Sequence, residues 1–233
     1  SSIKGIRDAN EDQLFEECLE RVNFFLAHGT TTIEAKSGYG LTTEDELKSL
    51  RVIKRLSEVS KLDIIPTFMG AHAIPPEFID NPTGYLDLIC NEMIPAVSKE
   101  NLAEYCDVFC EKGYFSVDDS KRILEIAMKF GLKPRLHADE FIDSGAAELA
   151  AEVGAVSADH LMAVSDAGIK AMAEKGVIAT LLPGTTLFLG KNKYAPGRKM
   201  IDSGCELALA TDFNPGSCTI QSMPFVISMA CLY

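Results

Sequence analysis

The chain has 233 residues, 47% hydrophobic and 24% charged, with a net charge of −12. A soluble globular chain of this size removes roughly 70% of its unfolded surface from water, ample for a core. An acidic surface repels phosphate backbones, which makes nucleic acid a poor partner, and no apolar run approaches the ~20 residues of a membrane span.

In chain order, short apolar runs alternate with helix-like stretches. Strands are predicted over 30–35, 62–68, 107–111, 134–137, 155–159, 177–182 and 206–211. They read as continuous apolar runs, as expected of parallel strands buried on both faces. Between them, helix-start signals recur. Asn10-x-x-Gln13 opens an amphipathic stretch that Gly29 closes, Thr43-x-x-Glu46 reads as a capping box, and Ser116-x-x-Asp119 precedes Ile123, Leu124, Ala127 and Met128. Ser144 and Ser165 lead into two more helices that end at Gly154 and Gly176.

Such alternation requires a parallel sheet with right-handed crossovers. An open doubly wound sheet gathers its site at one switch point, whereas a barrel collects residues from many strand ends. Here Lys36, His72, His137, His160 and Asp212 all follow apolar runs. The pattern therefore predicts a (β/α)8 TIM-type barrel, one partial catalytic domain over residues 1–233, with seven of its eight strands present. The chain opens on SSIKGIR and stops in the apolar MPFVISMACLY, so the first strand is expected to lie upstream. No basic, apolar leader is visible.

The seven cysteines show no C-x-x-C spacing and read as reduced, mostly buried thiols of a cytoplasmic protein. Cys106 and Cys110, four apart, are weak as a metal pair. Among the four histidines, His28 reads as a helix C-terminal residue. The other three, with Asp212 and Glu140, supply the ligand types of a zinc-like site and a base for water. Competing readings stand beside these. Asp212 is equally suited to cap the last helix ahead of Asn214, Pro215, Gly216 and Ser217. Asp139 and Glu140 are also readable as a solvated charge pair. KSGYG, 36–40, permits tight turns and close substrate approach, and Lys36 also suits a Schiff-base lysine.

The segments EAKSGYGLTTEDELK, TFMGAHAIPPEF, DVFCEKGYFS, RLHADEF, ADHL and ATDFNPGS resemble the imidazolonepropionase family of the amidohydrolase superfamily, in order and over nearly the whole chain. The resemblance implies hydrolysis of the cyclic amide of 4-imidazolone-5-propanoate to N-formimidoyl-L-glutamate in histidine degradation, with one zinc or iron ion. It implies metal ligation by His137 and Asp212, with His160 beside the water and carbonyl and Glu140 moving a proton and contacting the ring. Tyr39, His72, Asn214, Gly216 and Ser217 would hold substrate. The family's first-strand His-x-His and its substrate arginine have no counterpart among these residues, nor does its small β-sandwich. The 233 residues alone are thus expected to bind metal poorly and to be inactive. A small-molecule substrate is the expected partner, and a homodimer stays open. Two other readings remain: a different amidohydrolase acting on a cyclic amide or amine, and a metal-free barrel serving as a binding domain.

Overall fold

The computed structural model describes residues 2–233. Seven parallel strands pair strictly in chain order: β1 (Thr32–Lys36), β2 (Asp63–Ala71), β3 (Tyr105–Cys110), β4 (Lys133–Ala138), β5 (Ser157–His160), β6 (Ile178–Leu181) and β7 (Leu207–Leu209). Helices α1 (Ser2–Asp8) and α2 (Glu11–Ala27) precede the sheet, and α3 (Thr43–Val59) joins β1 to β2. Two short helices, α4 (Pro82–Leu88) and α5 (Ile94–Glu100), lie between β2 and β3; α6 (Val117–Lys129), α7 (Ala146–Glu152) and α8 (Asp166–Lys175) fill the next three connections. Then come α9 (Pro183–Phe188), α10 (Gly197–Asp202) and, after β7, α11 (Met223–Leu232). All seven predicted strands are present; β2 runs on through the bulge at Phe68–Ala71, and β7 is only three residues long.

Sequential order without reversal is the barrel arrangement, not the doubly wound one. Curvature is visible in side-chain reach. Lys36 on β1 bonds Asp159 on β5 at 2.8 Å, yet four strand spacings in a flat sheet would separate them by about 19 Å. The sheet is therefore a curled barrel wall whose edges are β1 and β7. Both edges are partly exposed, whereas β5 is buried throughout.

The two faces of the wall differ in chemistry. Outward residues such as Val108, Leu136, Ala158 and Ala179 are fully buried against the helices, joining Leu50, Ile123, Leu124 and Leu149 in one core. The inward row runs Asp107, Arg135, Ser157, with Phe109, His137, Asp159 and Thr180 as the next level, as the register dictates. Alternation is thus real in β3 to β5; burial on both faces conceals it only when every residue type is scored simply as inside.

Helix caps follow the sequence in three places and depart from it in two. Asn10 and Ser116 form reciprocal capping boxes, and Ser165 accepts from Gly168 N–H. Thr42, not Thr43, caps α3, and Glu46 is freed for another task. Ser144 is not the α7 cap; Gly145 holds that position at φ 81°, where a side chain would be strained. The α7 N-terminus is instead held by Asp139, which accepts from the N–H groups of Ser144, Ala146 and Ala147 and from the Ser144 hydroxyl at 2.9–3.2 Å. Asp139→Ala is therefore expected to cost about 3 kcal/mol in urea unfolding; a loss below about 1 kcal/mol would show the carboxylate to be dispensable. Between α4 and α5 the chain widens into a π turn at Ile89–Met93. Pro95 has no N–H to close an ordinary turn there, and a wider turn relieves that mismatch.

Candidate active site

The floor of the site is a charge network inside the barrel wall. The Lys36 ammonium bonds Asp107 and Asp159 and lies 3.5 Å from Glu34, while Arg135 reaches Glu34 at 3.2 Å and the Ser157 hydroxyl at 2.9 Å. Burial would drive the Lys36 ammonium toward neutrality, but Asp107, Asp159 and Glu34 overcome it and hold its pKa well above the ordinary lysine range. A Schiff-base lysine needs a free neutral amine, and this one is tied to two buried carboxylates, which argues against the aldolase reading of Lys36.

His137 stands on this floor. Its Nδ1 is 3.0 Å from Asp107 Oδ1. Burial would lower its pKa, yet Asp107 raises it. Burial likewise opposes ionisation of Asp107, and His137 and Lys36 reverse that, holding the carboxyl well below its usual range. A carboxylate on Nδ1 fixes the tautomer with the proton there and leaves Nε2 as a lone-pair donor, the usual support for a ligating histidine.

Around His137 the strand ends bring the predicted residues to one rim. The His160 ring centre lies 5.1 Å from that of His137, and His72 lies 6.5 Å away. His160 Nε2 is 3.7 Å from Glu140, and its Nδ1 is buried without a hydrogen-bond partner. Burial, aided by His137, pushes the His160 pKa down to about 4. Burial raises Glu140 to about 7, with the Asp212 and Glu111 charges adding to it against His137. Both Asp139 and Glu140 are buried, which removes the solvated-pair reading. His72 Nδ1 is 2.8 Å from Gly38 O, and Tyr39 meets His72 edge-on at 4.8 Å. Burial and the Asp212 charge push the Tyr39 phenol up to about 12.

Asp212 does not cap a helix. It accepts from the Thr185 hydroxyl, and α11 begins only at Met223 with Ser222 as its cap. Asn214 does the local capping: its Oδ1 accepts from Gly216 and Ser217 N–H, and its amide donates to Asp212 O. Gly216 and Ser217 thus sit in a turn that Asn214 pins. Four rim residues, Asp139 (φ 47°), His160 (φ 77°), Leu161 (φ 61°) and Asp212 (φ 52°), hold left-handed backbone. Such conformations persist where surrounding structure imposes them, and they cluster at functional sites.

Asp107, His137 and Asp159 also offer three ligand atoms within 4.8 Å of one another. The Lys36 ammonium already pairs with both carboxylates there, so a cation at that point would have to displace it. The other ring nitrogen of His137, Nε2, makes no bond to this network. Sequence reasoning missed Asp107, Asp159, Glu111 and Thr185. The first two were legible in the alternating D-V-F, R-L-H and S-A-D of three successive strands.

No protein-family model matches the chain. Imidazolonepropionase from Shouchella clausii is 56% identical over 232 residues, 100% of this chain and 52% of that protein. Imidazolonepropionase from Geobacillus thermodenitrificans is 53% identical over 233 residues, again 100% of this chain and 55% of the relative. This chain is an imidazolonepropionase homologue. It spans about half the length of the curated relatives it matches. The homologue's wall superposes on guanine deaminase from C. acetobutylicum with a TM-score of 0.73 at 16% identity, covering 98% of this chain and 56% of that one. Adenine deaminase from Arthrobacter aurescens gives 0.69 at 13% identity, covering 97% and 70%. These two share the barrel fold.

The histidine at the homologue's rim gives a pH prediction for metal-free protein. His160 is neutral in the fold down to about 4 but takes a proton near 6.5 when unfolded. A depressed histidine pKa contributes stability that is lost as pH falls from 6.5 toward 4, on the order of 3 kcal/mol here. His160→Asn is expected to flatten this acid loss in urea unfolding at pH 4 and 7. An unchanged pH slope would contradict a neutral buried His160.

Proposed function

We propose that this chain supplies most of the active-site face of an imidazolonepropionase, hydrolysing the cyclic amide of 4-imidazolone-5-propanoate to N-formimidoyl-L-glutamate. The observation that carries the reading is the His137 side chain, locked by Asp107 with Nε2 left for a ligand, at a rim shared with Asp212 and Glu140. The relatives' identity along the whole chain supports the substrate class.

The residues present fit a divalent ion: an imidazole with its second nitrogen already bonded, a carboxylate in Asp212, and an unpartnered buried nitrogen on His160 nearby. His137 and Asp212 would hold zinc or iron. When bound, such an ion polarises a carbonyl and lowers the pKa of water. The remaining work falls to the chain. Asp212 takes a proton from water as its oxygen adds to the ring carbonyl carbon. His160, neutral at neutral pH, donates a hydrogen bond to the carbonyl oxygen. Glu140, balanced near 7, delivers a proton to the ring nitrogen as the C–N bond breaks, the range in which a proton shuttle is most effective. Tyr39, His72, Asn214, Gly216 and Ser217 hold the substrate.

Two ligands short, with no His-x-His in its sequence, the 233-residue chain by itself is expected to bind metal weakly and to be inactive. Its seven unpaired thiols suit a cytoplasmic setting, and no helix among the described residues is long and apolar enough to cross a membrane. The deciding assay follows opening of imidazolone propanoate by the whole, metal-loaded protein, with formimidoylglutamate as the expected product. Metal-loaded protein that ignores this substrate but hydrolyses another cyclic amide or amine would replace it with a different amidohydrolase activity. Metal-free protein that binds the substrate without turnover would make the barrel a binding domain.

A further inference from the structure

The five residues 37–41 leave β1 and carry Tyr39 to the rim. Three of their backbone N–H groups, from Gly38, Gly40 and Leu41, donate to a single oxygen, Glu46 Oε1, at 3.2, 3.0 and 2.9 Å. Glu46 lies in the first turn of α3 and is fully buried. Its other oxygen, Oε2, is buried and outside good hydrogen-bond geometry, although the Ser37 hydroxyl also acts on the carboxylate. A buried carboxylate left half satisfied is costly, and a helix end does not require it. Thr42 and Asp45 already cap α3.

What the carboxylate holds is a strained loop. Gly38 sits at φ +115°, and a Cβ there would come within 2.9 Å of Met69 O. Leu41 is left-handed at φ 57°, a poor conformation for leucine. The loop's two outputs both face the rim. Gly38 O accepts from His72 Nδ1, and Tyr39 packs its ring edge against His72.

We propose that Glu46 is a positioning residue: by gathering the N–H groups of Gly38, Gly40 and Leu41 on one oxygen, it sets the loop that aims Tyr39 and His72 at the substrate. The proposal rests on the reading that these two hold substrate. Glu46 itself touches neither substrate nor metal.

The test uses the whole, metal-loaded protein. Glu46→Gln keeps the size and an acceptor oxygen but removes the charge that strengthens three hydrogen bonds. KM for the imidazolone substrate is expected to rise roughly 3- to 10-fold with kcat within about 3-fold. Adding Tyr39→Phe to Glu46→Gln should raise KM by less than the product of the single effects, because both act through one ring. A second readout needs no turnover. With 3-fluorotyrosine incorporated and the Tyr39 signal assigned by Tyr39→Phe, that 19F resonance should shift or broaden in Glu46→Gln. An unmoved resonance with unchanged KM, or a strictly multiplicative double variant, overturns the proposal. A moved resonance in a protein that does not open the cyclic amide keeps the role of Glu46 in the loop and defeats the hydrolase reading instead. Should Glu46→Gln not accumulate, Glu46→Asp, which keeps the charge and withdraws the acceptor by one methylene, is judged by the same signals.

Discussion

His137→Ala in the whole protein is expected to lower both bound metal and cyclic-amide hydrolysis by more than about 100-fold, beyond the 10- to 100-fold typical of residues that only support a ligand. The physical ground is the fixed tautomer. Asp107 holds the proton on Nδ1, so the alanine variant removes the one imidazole already prepared for a cation. Asp212→Ala should match it in metal loss. His160→Ala should separate from both, keeping metal while losing rate, because His160 is assigned to the carbonyl. Metal content by elemental analysis, measured beside turnover, distinguishes these outcomes. Activity surviving His137→Ala and Asp212→Ala would remove the metal assignment.

Asp107→Ala carries the largest expected cost in stability, on the order of 3–5 kcal/mol by urea unfolding, because it leaves a buried charge network unbalanced. Asp107 is fully buried and answers both Lys36 and His137. Without it the Lys36 ammonium keeps Asp159 and Glu34 but loses a close partner inside the wall. Asp107→Ala combined with Lys36→Met should cost less than the sum of the two single variants, because both remove the same buried ion pair, while Asp159 is left without its cation. A single-variant cost under about 1 kcal/mol, or strictly additive costs in the pair, would mean that the network is not closely coupled.

Most of the architecture was legible in the sequence because strand and helix alternation is a composition signal that tertiary context seldom reverses. The barrel choice was legible because polar residues ended many strands, and the reach of Lys36 across the wall agrees. The rim residues were readable for the same reason: histidines after apolar runs are few and conspicuous. What lay beyond reach depended on side-chain direction. Thr43-x-x-Glu46 fits a capping box, yet Thr42 takes the cap and Glu46 turns inward to the Gly38 loop. Ser144 has the composition of a cap, yet the Asp139 carboxylate from the preceding strand end reaches the α7 N–H groups first. Asp212 and Asn214 are both capping types, and only the fold assigns the turn to Asn214. Lys36 looked like a candidate nucleophile until two carboxylates from β3 and β5 met it.

The cation is expected on the rim side of His137, not on the charged floor beneath it. Anomalous scattering from crystals of the metal-loaded whole protein tests it most directly. The expected result is an ion bound by His137 Nε2 and the Asp212 carboxylate, with Lys36 still bonded to Asp107 and Asp159. An ion among Asp107, His137 Nδ1 and Asp159, with the Lys36 ammonium displaced, would contradict it.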